Sequence, residues 1–176
     1  MCASPLEFLR SGPPPPRVVL VPDAVFFSRS IAVPSGASGA EVVSQVGLAL
    51  EALSPFPLSQ LYFGYHRPAG AARALAFAAY RRRFTADQLA GWAGADHVMP
   101  AFAAILGCEA GPGATVILSA ADGLTAVHWD EGPVPSAVLH HSLAPDATDE
   151  ARSQARASLL GSLGGAGRVL DLPSPP

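Results

Sequence analysis

The sequence predicts an α+β fold, in which short strands and amphipathic helices follow one another along the chain. Short apolar segments rich in Val, Ile and Phe recur between turns, as strands do. Two segments open with the residue spacing of a helix cap, and the second half reads as a meander of strands followed by a helix. Of the 176 residues, 49% are apolar, which suffices for one good core or two small cores that share an interface.

The first predicted elements are two strands that meet at a Pro-Asp turn. Val18–Val21 and residues 24–33 are rich in Val, Ile and Phe, and we expect them to pair around Pro22 and Asp23. Residues 1–16, MCASPLEFLRSGPPPP, precede them. Their proline run favours extended polyproline II and cannot start a packed domain, so we expect a disordered leader.

The first helix is predicted in the segment SGAEVVSQVGLALEAL. Ser38 and Glu41 have the spacing of a capping box, in which each side chain satisfies a free backbone N–H of the other residue. The apolar residues that follow recur at three- and four-residue steps and form one stripe that can lie on a sheet: Val42, Val46, Ala49, Leu50 and Leu53. Pro55 and Pro57 end the helix.

A hairpin and a second capped helix complete the first part. Leu61–His66 and residues 73–82 predict two strands joined by a loop that contains Pro and Gly. Thr85 and Gln88 form a second cap at the start of the helix TADQLAGW. After residues 96–99, we expect a helix over residues 100–106 that begins with its proline.

The glycine-rich residues 107–113, GCEAGPG, predict a domain boundary, and beyond them the chain reads as a meander. ATVILSA and LTAVHW flank Asp122-Gly123, which predicts a hairpin with a type I′ turn. A third strand, PVPSAVLHHSL, follows. Thr148 then opens a helix to about Leu163, and RVLDL predicts a last short strand.

Composition excludes several classes of function. The chain has no lysine, and its eleven basic residues are all arginine. A Walker A loop, a protein kinase and a Schiff-base enzyme each need a lysine, so these mechanisms are closed to it. A net charge of −3 with scattered arginines also argues against nucleic-acid binding, which needs a basic face.

The expected compartment is the cytosol. No segment approaches the roughly 20 apolar residues of a membrane helix, and the N-terminus shows no signal-peptide pattern. Cys2 and Cys108 are too few for a disulfide framework or a zinc site.

The order of elements resembles the actin-like cytoplasmic domains of bacterial secretion and pilus platforms. The first part is similar to the type II secretion L subunit (GspL) and the pilus protein PilM. The shared order is an opening strand, a strand ending in IAVP, the helix with ALEAL, a Pro-rich turn, LYFGY, a strand running into arginines and a helix ending in Trp. VILSAADGLTAVHWDEGPVP resembles the phosphate-2 hairpin of the actin-like superfamily.

The resemblance implies two ribonuclease-H-like subdomains with mixed sheets and packed helices. Residues 17–110 would form the first subdomain and residues 114–172 a second, incomplete one. Residues 1–16 would be the leader and residues 173–176 a tail.

The resemblance also implies a function and a set of partners. In such platforms these domains act as scaffolds that dock an assembly ATPase or a bitopic inner-membrane protein, PilN-like or like the secretion M subunit. We therefore expect a non-catalytic scaffold, held at the inner face of the cytoplasmic membrane by protein contacts. The route would be strand addition at a sheet edge, or a peptide lying between the subdomains.

Nucleotide binding is the alternative. Family members that bind ATP carry an Asp–x–Gly loop at the hairpin, whereas this chain has Ser119-Ala120-Ala121 there and an adjacent Asp122-Gly123. This spacing favours turn chemistry over a magnesium site, and the first strand lacks a glycine-rich phosphate loop. A trimmed actin-like ATPase or sugar-kinase relative, and a degenerate fragment without binding surfaces, stay open as further readings.

Other polar and aromatic clusters each have two readings. His128, His140 and His141 are metal ligands if adjacent strands bring them together, although neighbours on a strand point to opposite faces. Residues 81–83 (Arg-Arg-Arg) either grip an acidic segment or lipid phosphate, or are the solvated end of a strand. Trp92 and Trp129 are core residues or binding residues. We assign no catalytic, cofactor-binding or metal-binding residue.

Overall fold

A computed structural model describes residues 15–108, 110–164 and 167–175. Residues 1–14, which make up most of the predicted leader, lie outside the described residues, and so does Pro176. The described chain forms nine strands and three α-helices, with short 3-10 turns between them. The strands are arranged in three sheets of two, three and four strands.

The first half is built around an antiparallel sheet of three strands, β2 (Phe26–Ala32), β3 (Leu61–His66) and β4 (Arg73–Tyr80), with β4 in the middle. The predicted hairpin of β3 and β4 is confirmed. Strand β4 is buried on both faces, and its residues alternate between two cores. Three alanines point to one core and Leu75 and Phe77 to the other.

Helix α1 (Gly39–Leu53) packs against the alanine face of β4. The predicted capping box is confirmed, since the Ser38 N–H donates to Glu41 Oε2 at 2.7 Å and Ser38 Oγ accepts from the Glu41 N–H. Most of the predicted stripe is buried, although Leu53, at the last turn, is exposed. Small alanine side chains on β4 let the helix lie close to the sheet.

The predicted pairing of the first two strands is wrong. Strand β1 (Val18–Val21) instead pairs in parallel with β5 (His97–Pro100), and β2 pairs with β4. Residues 23–25 between β1 and β2 form a single 3-10 turn that redirects the chain without reversing it, held by the Val25 N–H donating to the Pro22 carbonyl. Two consecutive strands therefore belong to different sheets.

The capped helix α2 (Ala86–Trp92) is confirmed, with both hydrogen bonds of the Thr85 and Gln88 capping box present. Two neighbouring predictions need correction. Pro100 ends β5, and the helix after it is a short 3-10 helix, Ala101–Ile105. Strand β4 ends at Tyr80, because Arg81–Arg83 turns into a 3-10 helix.

The second half is the predicted meander, now with a parallel fourth strand. Strands β6 (Ala114–Ala120), β7 (Gly123–Trp129) and β8 (Ala137–Ser142) are antiparallel, and β9 (Arg168–Pro173) pairs in parallel with the other edge of β6. Helix α3 (Asp149–Ser162) crosses one face of this sheet, as a parallel connection requires.

The turn of the β6–β7 hairpin is not the type I′ turn that the sequence predicts. Ala120 pairs with Gly123, so the two turn residues are Ala121 and Asp122. A type I′ turn needs positive φ at both, and no described residue other than glycine has positive φ. Gly123 lies in strand β7 itself, where the lack of a side chain lets β8 pack closely against it.

One hydrophobic core joins the two halves. Leu75, Phe77, Phe102 and Leu106 precede the predicted boundary, and they pack in the same cluster as side chains from β6 and β7, which include Val116 and Trp129. The Phe77 and Phe102 rings meet edge-to-face with their centroids 6.1 Å apart. The division into residues 17–110 and 114–172 stays a prediction.

Candidate functional site

Three polar side chains from distant parts of the chain meet in the cleft between the two halves. Asp23 comes from the turn between β1 and β2, Thr125 from β7 and His140 from β8. Thr125 Oγ1 donates to Asp23 Oδ2 at 2.7 Å and lies 3.0 Å from His140 Nδ1. Asp23 Oδ1 also accepts the Phe102 N–H at 3.0 Å. We call these three side chains the polar relay.

The hydrogen bonds of the polar relay determine where its protons lie. When Asp23 is ionised, the single hydroxyl proton of Thr125 points at its carboxylate, and this hydroxyl accepts from His140 Nδ1–H. Neutral His140 is then the Nδ1–H tautomer, and its Nε2 carries a lone pair. That Nε2 atom is buried and has no hydrogen-bond partner among the described residues.

Burial sets the electrostatics of the polar relay. Desolvation raises the pKa of Asp23, against the opposing effects of the Phe102 N–H, the Thr125 hydroxyl and His140. Desolvation likewise lowers the pKa of His140, which the carboxylates of Asp23 and Asp122 oppose and His141 reinforces. Both shifts disfavour charge in the cleft.

Gly123 makes room for the imidazole of His140. A Cβ atom at this position would lie 2.8 Å from His140 Cε1 and 2.5 Å from the carbonyl oxygen of His141. Real Cβ atoms essentially never approach other atoms so closely, and the second contact is to backbone that cannot move aside. The glycine therefore lets β8 and its histidine lie directly against β7.

A cavity of about 340 Å³ opens beside the polar relay. It is lined by the relay, by the hairpin end with Ser119 and Asp122, and by apolar residues of β1. Among its described lining residues there is no arginine, and two of the side chains are carboxylates. Carboxylates repel a bare phosphate group, whereas a phosphate that carries Mg²⁺ can meet them through the metal.

The polar relay does not present a nucleophile. The Thr125 hydroxyl is buried and hydrogen-bonded to both Asp23 and His140. His140 is therefore not placed as a free base that could activate this hydroxyl for attack on a substrate. The arrangement connects β7 and β8 to the turn after β1, which makes it a link between the two halves.

The three histidines weighed as metal ligands do not converge. His128 is engaged by Thr115 Oγ1 and Asp130 Oδ1, each at 2.8 Å, and His140 belongs to the polar relay. His141 is exposed. Within the described residues, no group of three or more His, Cys, Asp or Glu side chains could hold a metal ion.

An aromatic groove of about 320 Å³ lies on the first half, between β3, α2 and β5. We define the aromatic groove by its lining residues: Phe26, Tyr62, Phe63, Phe84, Leu89, Trp92, Ala93 and Val98. The Phe84 ring meets the rings of Trp92 and Tyr62, with centroids 5.3 and 6.0 Å apart. Trp92 is thus a surface residue, whereas Trp129 is fully buried in the core.

The three consecutive arginines lie at the end of β4. Arg81 sits 4.6 Å from the centre of the Tyr62 ring and donates to the Leu61 carbonyl, and Arg83 donates to the Ala24 carbonyl. Two of the three therefore bond to the backbone of this chain, while all three stay exposed. This basic cluster adjoins one wall of the aromatic groove.

Sequence reasoning missed the polar relay. The sequence indicates only a turn at Asp23 and a strand at Thr125, and 102 positions separate the two residues. Neither residue lies in a motif, so no local pattern could have marked them. Their meeting depends on how β1 and β7 are placed in space.

Comparison with solved structures shows which proteins share this fold. The chain is similar to the cytoplasmic domain of EpsL, an inner-membrane component of the type II secretion system of Vibrio cholerae, with a TM-score of 0.53 and 17% identity. The match covers 90% of this chain but only 62% of that one. It confirms the predicted fold, which is that of a type II secretion cytoplasmic domain.

A second similar structure is a Bacteroides thetaiotaomicron protein of unknown function with an actin-like ATPase fold, at a TM-score of 0.47 and 8% identity. This match covers 89% of the present chain and 58% of that chain. No protein-family model and no curated protein matches the sequence. Within the described residues, no helix is long and apolar enough to cross a membrane.

Proposed function

We propose that this protein is a non-catalytic scaffold of a bacterial secretion or type IV pilus platform. It docks an assembly ATPase, the cytoplasmic tail of a bitopic inner-membrane protein of the PilN or M-subunit kind, or both. It lies in the cytoplasm and is held at the inner membrane by these protein contacts. The fold that it shares with the EpsL cytoplasmic domain is the observation that carries the proposal.

The cleft supports the non-catalytic part of the proposal. The described lining of its cavity includes two carboxylates and no arginine that could contact a phosphate directly. Its buried threonine and histidine bond to each other and to Asp23. A nucleotide-binding enzyme, the alternative function, would need phosphate contacts at this place.

Open sheet edges support docking by strand addition. Strand β3 borders only β4, and β9 borders only β6. Each leaves one row of backbone N–H and C=O groups without a strand partner in the described structure, and each carries exposed apolar side chains, Phe63 on β3 and Leu172 on β9. An extended partner segment can pair with such an edge.

The test is an affinity pull-down of the tagged protein from detergent-solubilised host membranes, read by mass spectrometry. We expect a secretion or pilus ATPase, or a small bitopic membrane protein, to be recovered. Phe63→Arg and Leu172→Arg form a matched pair, because each places a charge on an exposed apolar position of a different edge strand. Loss of the partner with one variant and not with the other would locate the docking edge.

Calorimetric titration with Mg-ATP tests the alternative function, a nucleotide-binding enzyme. Under the proposal, titration produces no binding heat. Micromolar binding of Mg-ATP, together with a pull-down that contains neither an assembly ATPase nor a bitopic membrane protein, would contradict the scaffold function and favour nucleotide binding.

A further inference from the structure

The aromatic groove leaves a patch of apolar surface uncovered in the described structure. Tyr62, Phe63, Leu89 and Val98 are each between 38% and 41% exposed, and they lie side by side along the groove. Single exposed apolar residues are common, whereas a contiguous exposed apolar patch is typical of a binding surface. The question is which segment does so.

The N-terminal segment of this chain enters beside the groove. The backbone N–H of Arg17 donates to Asp96 Oδ2 at 2.7 Å, and the Arg17 carbonyl accepts the Asp96 N–H at 2.9 Å. The Arg17 guanidinium lies against Gly94, which directly follows Ala93 of the groove wall. The chain is thus held at Arg17 beside the wall of the groove.

The sequence of that segment suits an apolar site. Leu6, Phe8 and Leu9 lie within four positions, with Glu7 between the first two. The eight residues from Leu9 to Arg17 span up to about 26 Å when extended, which is ample to reach the groove from the tether. The proline run between them favours an extended spacer and reduces the entropy lost on docking.

We propose that residues 1–14 fold back and bind in the aromatic groove through Leu6, Phe8 and Leu9. The tether supplies an effective concentration on the order of millimolar, so that weak apolar contacts suffice for occupancy. Glu7 complements the exposed arginines 81–83 next to the groove. This inference does not rest on the scaffold function, since it concerns a contact within one chain. Phe63 belongs to the groove as well as to the β3 edge, so the triple-serine variant of Leu6, Phe8 and Leu9, which leaves Phe63 intact, tests the inference separately from Phe63→Arg.

Trp92 provides the readout, because it lines the groove while Trp129 is fully buried and insensitive. The test compares the full chain with its Leu6→Ser/Phe8→Ser/Leu9→Ser variant. We expect Trp92 emission to move to longer wavelength and its acrylamide quenching constant to rise about twofold, as one face of the indole becomes wet. A synthetic peptide of residues 1–12, added to the variant, should reverse both changes saturably.

Two controls secure the result. Ser4→Ala/Ser11→Ala changes the same segment without removing its apolar side chains and should leave both signals as in the wild type. Trp92→Phe identifies the part of the emission that belongs to the groove.

Two outcomes would overturn the proposal. One is identical emission and quenching in the wild type and the triple-serine variant, which would show that the segment does not occupy the groove. The other is a wild-type signal that changes with protein concentration, which would assign the bound segment to a second copy.

Discussion

At the scale of single residues, Asp23 is a buried carboxylate that holds two donors from other elements. It is buried at the meeting point of the two halves and accepts hydrogen bonds from the Phe102 backbone and from the Thr125 hydroxyl. Its raised pKa shows that burial of its charge is costly. Two buried donors nevertheless depend on its carboxylate.

We predict that Asp23→Ala lowers the free energy of unfolding by about 2–4 kcal/mol. Each of the two buried donors left without an acceptor costs about 1–3 kcal/mol, and removal of the desolvated carboxylate offsets part of that cost. Urea denaturation followed by circular dichroism measures the change. Asp146→Ala is the matched control, since Asp146 is exposed, and it should change stability by less than about 0.5 kcal/mol. Equal stability of Asp23→Ala and wild type would mean that water satisfies both donors.

At the scale of elements, the β7–β8 pair depends on a close approach that only glycine permits. The position of Gly123 has no unusual φ, so its requirement is one of space alone. The carbonyl of His141 and the ring of His140 occupy the volume that a side chain would need.

Gly123→Ala is expected to destabilise the protein by about 1–3 kcal/mol, the usual cost of forcing atoms into a packed site. Gly91→Ala in α2 is the matched comparison, because a Cβ there meets nothing within 4 Å. Its effect should have the opposite sign, a gain of up to about 1 kcal/mol from better helix propensity. Thermal unfolding of the two variants beside the wild type tests both signs, and a neutral Gly123→Ala would show that β8 can shift away.

At the scale of the whole molecule, the shared core and the polar relay tie the halves together. Phe102 lies in a cluster with Leu75 and Phe77 on one side and with Val127 and Trp129 on the other. Side chains from both halves therefore lose their burial at the same time when either half opens. Such coupling favours a single cooperative transition.

We predict coincident unfolding of the two halves in urea. In a Trp92→Phe chain the fluorescence comes from Trp129 of the second half, whereas far-UV circular dichroism reports all three helices. The two urea midpoints should agree. Phe102→Ala should shift both midpoints by the same amount, because it lowers the free energy of unfolding by about 3–5 kcal/mol. Separate transitions would contradict this coupling and would support independently folding domains.

The local elements could be read from the sequence because their signals are local. Both capping boxes, the β3–β4 hairpin and the three-strand meander lie where residue spacing and apolar periodicity predict them. The order of these elements was also enough to indicate the secretion-domain fold that the comparison confirms. The capping boxes, the hairpin and the meander each depend on residues at most a few tens of positions apart, whereas the fold was indicated by the order of elements along the whole chain.

Tertiary structure alone decided how the elements combine. Strand β1 pairs with the distant β5 and not with its neighbour β2, and Gly123 belongs to strand β7 and not to the turn. Asp23, Thr125 and His140 meet although they come from three different elements. The physical reason is that these contacts join residues far apart in the chain, so their free energy depends on the packing of whole sheets. No single segment carries that information, which is why the polar relay and the aromatic groove became visible only in the folded protein.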